Sequence, residues 1–116
     1  MHEMSICLAL LEQVRRIAEE RNASRVEKIV LNIGPLSGVA APLLEHAYPL
    51  AAAGTLAEGA ELVIESLPIR VKCTQCGAVT AALSNRLICS QCGDFRTHLI
   101  SGDEMILSKV EMMVSS

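Results

Sequence analysis

The chain has 116 residues, a formal net charge of −3 and an apolar fraction of 51%, with one Tyr and one Phe. This length suits one compact domain, or one small domain with a metal-stabilised appendage. The acidic balance argues against nucleic acid as the main partner, because phosphate binding needs clustered Lys and Arg, and the apolar stretch Ile6 to Leu11 is too short to span a membrane.

The first third of the chain predicts a helix followed by a strand. From Met4 to about Arg21, apolar residues recur every three or four positions and charged residues fill the other face, the pattern of an amphipathic helix. Val26 to Ile33 is typical of a strand, with Ile29, Leu31 and Ile33 on one face. A turn is expected at 34–38.

A second helix is predicted to begin at Pro42, where a missing N–H costs nothing, and to run to about Ala53. Pro49 removes an interior hydrogen bond, so a kink or an early end near Tyr48 is expected. Gly54 is expected to end the helix.

Two further strands are predicted, at 61–67 and at 104–114, from the alternation of apolar and charged residues. The fold class that follows is α/β, a small mixed sheet with two helices and an inserted zinc-ribbon-like module. We expect residues 1–68, completed by the strand in 104–116, to form the α/β domain and residues 69–103 to form the metal module.

Four of the five cysteines form two Cys-x-x-Cys pairs that are twelve residues apart, and a glycine follows each pair. Two tight turns that each present two thiolates build a tetrahedral cage, the geometry that structural Zn²⁺ prefers. The predicted zinc ligands are Cys73, Cys76, Cys89 and Cys92.

Two other interpretations of these cysteines are weaker. Disulfides require an oxidising compartment, and the start of the chain is a poor match to a secretory signal, because Glu3 and Glu12 flank its apolar stretch. A catalytic zinc needs an open position, which four cysteines do not leave. We therefore expect a cytoplasmic protein with a structural zinc, in which the fifth cysteine, Cys7, is a small buried hydrophobic residue.

The opening Met1-His2-Glu3 is the second chemically informative feature. A histidine beside a chain terminus offers the α-amine, a backbone amide nitrogen and its imidazole to one ion, and such nearly planar nitrogen donors suit Ni²⁺ or Cu²⁺. Taken alone, a histidine at position two is more often an ordinary terminal residue.

Several motifs occur together and in order along nearly the whole chain. They are the opening 1–5, the turn 33–39, the stretch 54–62, the two cysteine pairs and the segment 101–105. In this combination the chain resembles the HypA/HybF nickel chaperones of nickel-iron hydrogenase maturation. The resemblance implies a small nickel-binding α/β domain with a zinc-ribbon-like insertion.

The resemblance also implies roles for individual residues. His2 matches the family's nickel ligand, the backbone of Met1 and Glu3 would add nitrogens, and the Glu3 side chain is a further candidate ligand. Pro35 stands where many relatives carry an acidic residue, and Ala40 stands where some carry an aspartate near the nickel, so the outer nickel ligands stay open. His98 is a candidate for such a ligand, although a surface histidine is the simpler interpretation.

We therefore expect a metallochaperone and not an enzyme. It would carry Ni²⁺ as transient cargo, hold Zn²⁺ as a structural ion, and deliver nickel to the precursor of the hydrogenase large subunit together with a maturation GTPase. The alternative is a zinc-ribbon interaction module that transfers no nickel.

Overall fold

Helix, strand and helix follow one another along the chain before five further strands. The structure is a computed structural model that describes residues 2–114, and of His2 it describes the backbone only. The predicted helices and long strands are all present. The elements are α1 (His2–Glu20), β1 (Ala23–Ile33), α2 (Ala41–Ala52), β2 (Glu61–Ser66), β3 (Arg70–Cys73), β4 (Val79–Ala81), β5 (Thr97–Ser101) and β6 (Met105–Val114).

Helix α1 is stabilised by the apolar stripe that its sequence predicts. On the opposite face Arg15 forms ion pairs with Glu12 and Glu19, one turn away in each direction, the spacing at which side chains on a helix surface meet. Asn22, with a φ of 54°, turns the chain out of the helix. The buried residues of the stripe are Cys7, Leu10, Leu11, Val14 and Ala18.

Strand β1 is the middle strand of the first sheet, whose order is β2-β1-β6. Ile29, Val30 and Leu31 are consecutive in sequence and all buried, so both faces of this strand are covered. The predicted face with Ile29, Leu31 and Ile33 is therefore one of two buried faces.

Helix α2 packs against α1 through Leu44, Tyr48 and Ala52, which recur every four residues and are all buried. The Cys7 thiol is fully buried and donates to the Leu44 carbonyl at 3.6 Å, which confirms its predicted packing role. The early end predicted near Tyr48 was wrong, because the helix continues through Pro49 to Ala52. Burial of this stripe outweighs the one hydrogen bond that proline removes.

The second sheet has the order β4-β3-β5, and both pairings are antiparallel. Lys72 on β3 lies opposite Val79 on β4 and His98 on β5. The sequence analysis did not anticipate these short strands. The signal that could have revealed β3 is its alternation of two exposed cationic residues with the buried side chains of Val71 and Cys73.

The predicted turn at 34–38 packs closely against the loop at Gly102. The Gly34 N–H donates to the Glu104 carbonyl at 2.8 Å, and the Leu36 N–H donates to the Gly102 carbonyl at 2.7 Å. A Cβ atom on Gly34 would lie 2.1 Å from the Gly102 oxygen, so only glycine fits here.

The chain divides into two compact units, which we call the first and second units. The first comprises Met1–Leu31, Val39–Glu65 and Ile106–Ser116, and the second comprises Asn32–Gly38 and Ser66–Met105. Two helices, small sheets and a four-cysteine cluster confirm the predicted fold class. The predicted domain bounds, 1–68 with 104–116 and 69–103, stay a prediction, and the structure adds that segment 32–38 belongs with the cysteines.

Among residues 2–114, neither helix combines the length and the apolar character that crossing a bilayer requires.

Candidate metal centre

Each Cys-x-x-Cys pair lies on a tight turn that its following glycine completes. The Gly77 N–H donates to the Cys73 carbonyl at 3.1 Å, and the Gly93 N–H donates to the Cys89 carbonyl at 2.8 Å. The two glycines have φ angles of 76° and 78°, which L side chains rarely adopt. The same local geometry is therefore built twice, as the repeated sequence pattern predicts.

The two turns bring their four sulfur atoms into one cluster. All four Sγ atoms lie within 4.8 Å of one another, and the Cys73–Cys92 and Cys76–Cys89 sulfur pairs are each 3.6 Å apart. Zinc–sulfur bonds of about 2.3 Å in a tetrahedron place the sulfurs about 3.8 Å apart, so the cluster has the size of a zinc site. A disulfide would need about 2.05 Å, and all four residues are free thiols.

The donor set fits a structural ion better than a catalytic one. Within the described part of the chain, the group contains the four cysteines and no histidine or carboxylate. Four sulfur ligands complete a tetrahedral Zn²⁺ and leave no position for water or substrate. Cys73 and Cys89 are buried and Cys76 and Cys92 are exposed, so one side of the cluster faces solvent.

The pKa values of the thiols separate into two classes. A hydrogen bond from the Cys76 backbone N–H lowers the pKa of Cys73, and one from the Cys92 backbone N–H lowers the pKa of Cys89 to about 6. A hydrogen bond from the Asp94 N–H lowers the pKa of Cys92. The contacts of the Cys92 thiol with the sulfurs of Cys73 and Cys89, together with its desolvation, outweigh that effect and raise the pKa of Cys92 to about 12. The pKa of Cys76 is raised in the same way against the effect of the Ala78 N–H. All four sulfurs must lose their protons when they bind zinc, so zinc and protons compete for the cluster.

Residues outside the cysteine pairs connect the two turns, and the sequence analysis did not identify them. The Asp94 carbonyl accepts the Cys89 N–H at 2.9 Å, and the Asp94 carboxylate accepts two hydrogen bonds from the Arg96 side chain. These bonds, with one from the Arg96 backbone N–H, lower the pKa of Asp94 to about 2. The Arg96 carbonyl in turn accepts the Thr74 hydroxyl at 2.7 Å. The sequence signal that could have predicted this link is the Asp-x-Arg motif that follows the glycine after the second cysteine pair.

The structure gives a partial view of the predicted nickel ligands. Met1 lies outside the described residues, and of His2 only the backbone is described, as the first residue of α1. Glu3 follows in the first turn of α1 and is half-buried. His46 on α2 and His98 on β5 are both exposed. The described side chains therefore assemble the predicted zinc ligands, while the nickel ligands stay a prediction.

Comparison with known families gives a match over almost the whole chain. A family model described as "Hydrogenase/urease nickel incorporation, metallochaperone, hypA" matches residues 1–112. A hydrogenase maturation factor HypA from Nitrosospira multiformis is 48% identical over 115 residues, which cover 99% of this chain and 100% of the relative. Another, from Aquifex aeolicus, is 41% identical over 114 residues, 98% of this chain and 99% of the relative.

Solved structures agree with these sequence matches. The solution structure of the Ni metallochaperone HypA from Helicobacter pylori is similar with a TM-score of 0.72 at 23% identity, covering 97% of this chain and 98% of the other. A further solution structure of a HypA protein is similar with a TM-score of 0.74 at 26% identity, and the match covers 99% of this chain and 98% of the other. The arrangement of helices and strands described above is thus a known fold.

Proposed function

The chain belongs to the HypA family of hydrogenase and urease nickel-incorporation metallochaperones, and on this premise we propose that it delivers Ni²⁺ to the precursor of a nickel-iron hydrogenase large subunit. The observation that carries this proposal is the family match over residues 1–112, a range that includes both the opening Met1-His2-Glu3 and the four cysteines. A metallochaperone carries its metal and transforms no substrate, so the proposal assigns no catalytic residue.

The proposed nickel ligands are the His2 imidazole, backbone nitrogens of Met1, His2 and Glu3, and the Glu3 carboxylate as a possible addition. One feature of α1 supports this assignment. The helix begins at His2, and the first four N–H groups of a helix have no acceptor within it. These amide nitrogens are therefore not committed to the backbone hydrogen bonds that nickel would have to break.

The proposed zinc ligands are Cys73, Cys76, Cys89 and Cys92, supported by the tetrahedral size of their sulfur cluster. When bound, Zn²⁺ would supply structural cross-linking, while nickel would remain exchangeable at the chain terminus. We propose a maturation GTPase as the nickel donor and the hydrogenase precursor as the acceptor, in the cytoplasm. The zinc-bearing unit would present the surface that these proteins recognise.

Equilibrium nickel titration tests the assignment. We expect His2→Ala to weaken Ni²⁺ binding by at least about tenfold, because it removes the imidazole from the chelate. Extending the chain before Met1 with a tag should have the same effect, since the α-amine becomes an amide. Absorption spectra should show a nearly planar nitrogen-bound ion, and zinc content should stay at one ion per chain in both variants.

His46→Ala is the matched control, because His46 is an exposed histidine on α2 that is not among the predicted ligands. It should leave nickel affinity and hydrogenase maturation in cells unchanged. Unaltered nickel binding by His2→Ala, or nickel bound through the thiols, would contradict the proposal and favour the alternative, a zinc-ribbon interaction module that transfers no nickel.

A further inference from the structure

One face of the second sheet carries cationic side chains that the proposed metal sites do not use. Arg70 and Lys72 alternate with buried residues on β3, so both side chains lie on the same, exposed face. Residues directly opposite one another in antiparallel strands share a face, which adds Ala81 and Ser101 opposite Arg70 and both Val79 and His98 opposite Lys72. We call these six residues the cationic face.

The two cations of this face have no acidic partner among the described residues. Every described ion pair belongs to other cations, namely Arg15, Arg16, Arg96 and Lys109. The strands β3, β4 and β5 contain no Asp or Glu at all. Arg70 and Lys72 are thus two exposed cations on one face, and no described carboxylate forms an ion pair with either of them.

Aliphatic surface adjoins these charges. Val79 is 50% exposed beside Lys72, and Ile100, the unpaired residue at the bulge next to Arg70, is 52% exposed. An exposed surface that combines unpaired charge with aliphatic side chains offers both orientation and burial to a partner. The opposite face of β3 has no such role, because Val71 and Cys73 are buried there.

We propose that the cationic face docks an acidic, extended segment of a partner protein. Positions two apart on a strand are about 7 Å apart, so Arg70 and Lys72 match carboxylates at alternate positions of an extended chain. Aliphatic side chains of the same segment would lie against Val79 and Ile100. The inference deepens the proposed function, on which it rests, by assigning a surface for one of the proteins that exchange nickel.

A protein segment suits this face better than nucleic acid does. Stacking platforms for bases need aromatic side chains, and β3, β4 and β5 contain none. Two cations on a chain with a net charge of −3 also fall short of the clustered charge that phosphate backbones require. Binding of an oligonucleotide is therefore a result that would overturn the proposal.

NMR titration of the zinc-loaded, isotope-labelled protein tests the inference. The probe is a short blocked peptide of alternating glutamate and valine, and the control peptide has glutamine in place of glutamate. We expect the acidic peptide to shift amide signals of β3, β4 and β5, and we expect its affinity to fall as salt is raised. Shifts located elsewhere, or equal shifts with the glutamine peptide, would overturn the proposal.

Charge reversal supplies the matched comparison. The double variant Arg70→Glu/Lys72→Glu should bind the acidic peptide about tenfold more weakly, whereas Arg70→Gln/Lys72→Gln should show a smaller loss in the same direction. Arg21→Glu/Arg86→Glu makes the same change in net charge at two residues that are not part of this face, and this variant should bind normally. An equal loss in that control, or tighter binding of a single-stranded oligonucleotide than of the peptide, contradicts the inference.

Nickel titration on the same variants separates this inference from the proposed function. Arg70→Glu/Lys72→Glu should bind nickel and zinc normally and should capture less of the GTPase or of the hydrogenase precursor than wild type does. Normal capture of both proteins would overturn the docking surface and leave nickel delivery standing. Nickel binding that persists in His2→Ala, with peptide binding intact, would instead refute the nickel site alone.

Discussion

Single atoms decide what several positions of this protein tolerate. The sulfur of each cluster cysteine is needed as a donor, and at Gly34 it is the absence of a side chain that matters. Gly34 brings the turn at 34–38 into contact with the Gly102 loop, where the space for a Cβ is already filled by a backbone carbonyl. Backbone atoms cannot turn aside as a side chain can, so this contact is rigid.

Gly34→Ala is therefore expected to destabilise the second unit by about 3 kcal/mol, as overpacking does when neighbouring atoms cannot yield. The added methyl would force the Gly34 N–H away from the Glu104 carbonyl, now 2.8 Å apart. Urea unfolding, followed through amide signals of residues 66–105, would measure the change.

Gly38→Ala in the same turn is the control. A Cβ at Gly38 meets nothing within 4 Å, and its φ of 80° adds only backbone strain, about 1 kcal/mol. Equal destabilisation by the two substitutions would show that strain, and not the close contact with Gly102, governs this turn.

At the scale of elements, each cysteine turn depends on hydrogen bonds from its neighbours. Backbone N–H groups within the turn point at the sulfurs, with Gln75 and Cys76 donating to the Cys73 sulfur at 3.3 and 3.4 Å. Such bonds stabilise the thiolate form that zinc binds. The link through Asp94 and Arg96 then holds the second turn beside the first.

Asp94→Asn should lower zinc affinity by about tenfold, the usual effect of losing a residue that supports metal ligands. An amide cannot form the ion pair with Arg96, whose side-chain nitrogen is 2.7 Å from the carboxylate. Competition with a chromophoric zinc chelator would measure the change.

Asp103→Asn is the control. Asp103 is exposed, lies in the same unit and is not part of the cluster, so this substitution removes one negative charge and should leave zinc affinity unchanged. Equal losses in the two variants would attribute the effect to net charge. No loss in either would show that the link through Arg96 does not support the cysteine turns.

For the whole molecule, the two units differ in what stabilises them. The first unit buries most of the apolar core, including stripes of α1 and α2 and the middle of β1. In the second unit the buried apolar residues are Ile33, Ile69 and Val71 together with the proposed zinc ligands Cys73 and Cys89. Because this core is so small, we expect the second unit to need a metal cross-link to fold.

Removing zinc with a chelator under reducing conditions should therefore unfold the second unit and spare the helices of the first. The expected result is loss of dispersed amide signals from residues 66–105 with little change in helical circular dichroism. Acidification should act in the same direction, because protons compete with zinc for the thiolates.

Readdition of Zn²⁺ should restore the dispersed signals, and Mg²⁺, which prefers oxygen ligands, should not. A second unit that keeps its native signals after complete zinc removal would show that its small apolar core suffices.

Local chemistry explains what the sequence alone determined. Apolar periodicity placed α1 because a helix buries every third or fourth residue whatever lies against it. The spacing of Cys73, Cys76, Cys89 and Cys92 predicted that their sulfur atoms would form one cluster, because a tetrahedral ion requires its ligands to be presented in this way. Both signals are contained in a few consecutive residues.

The tertiary structure alone decided features that depend on distant partners. The helix continues through Pro49 because Ala52 is buried beyond it, and segment 32–38 joins the second unit because Gly34 meets Gly102. The pairing of β3 with β5 likewise joins segments that are far apart in sequence, with Lys72 opposite His98. The free energy of such contacts belongs to two segments at once, so neither segment encodes it by itself.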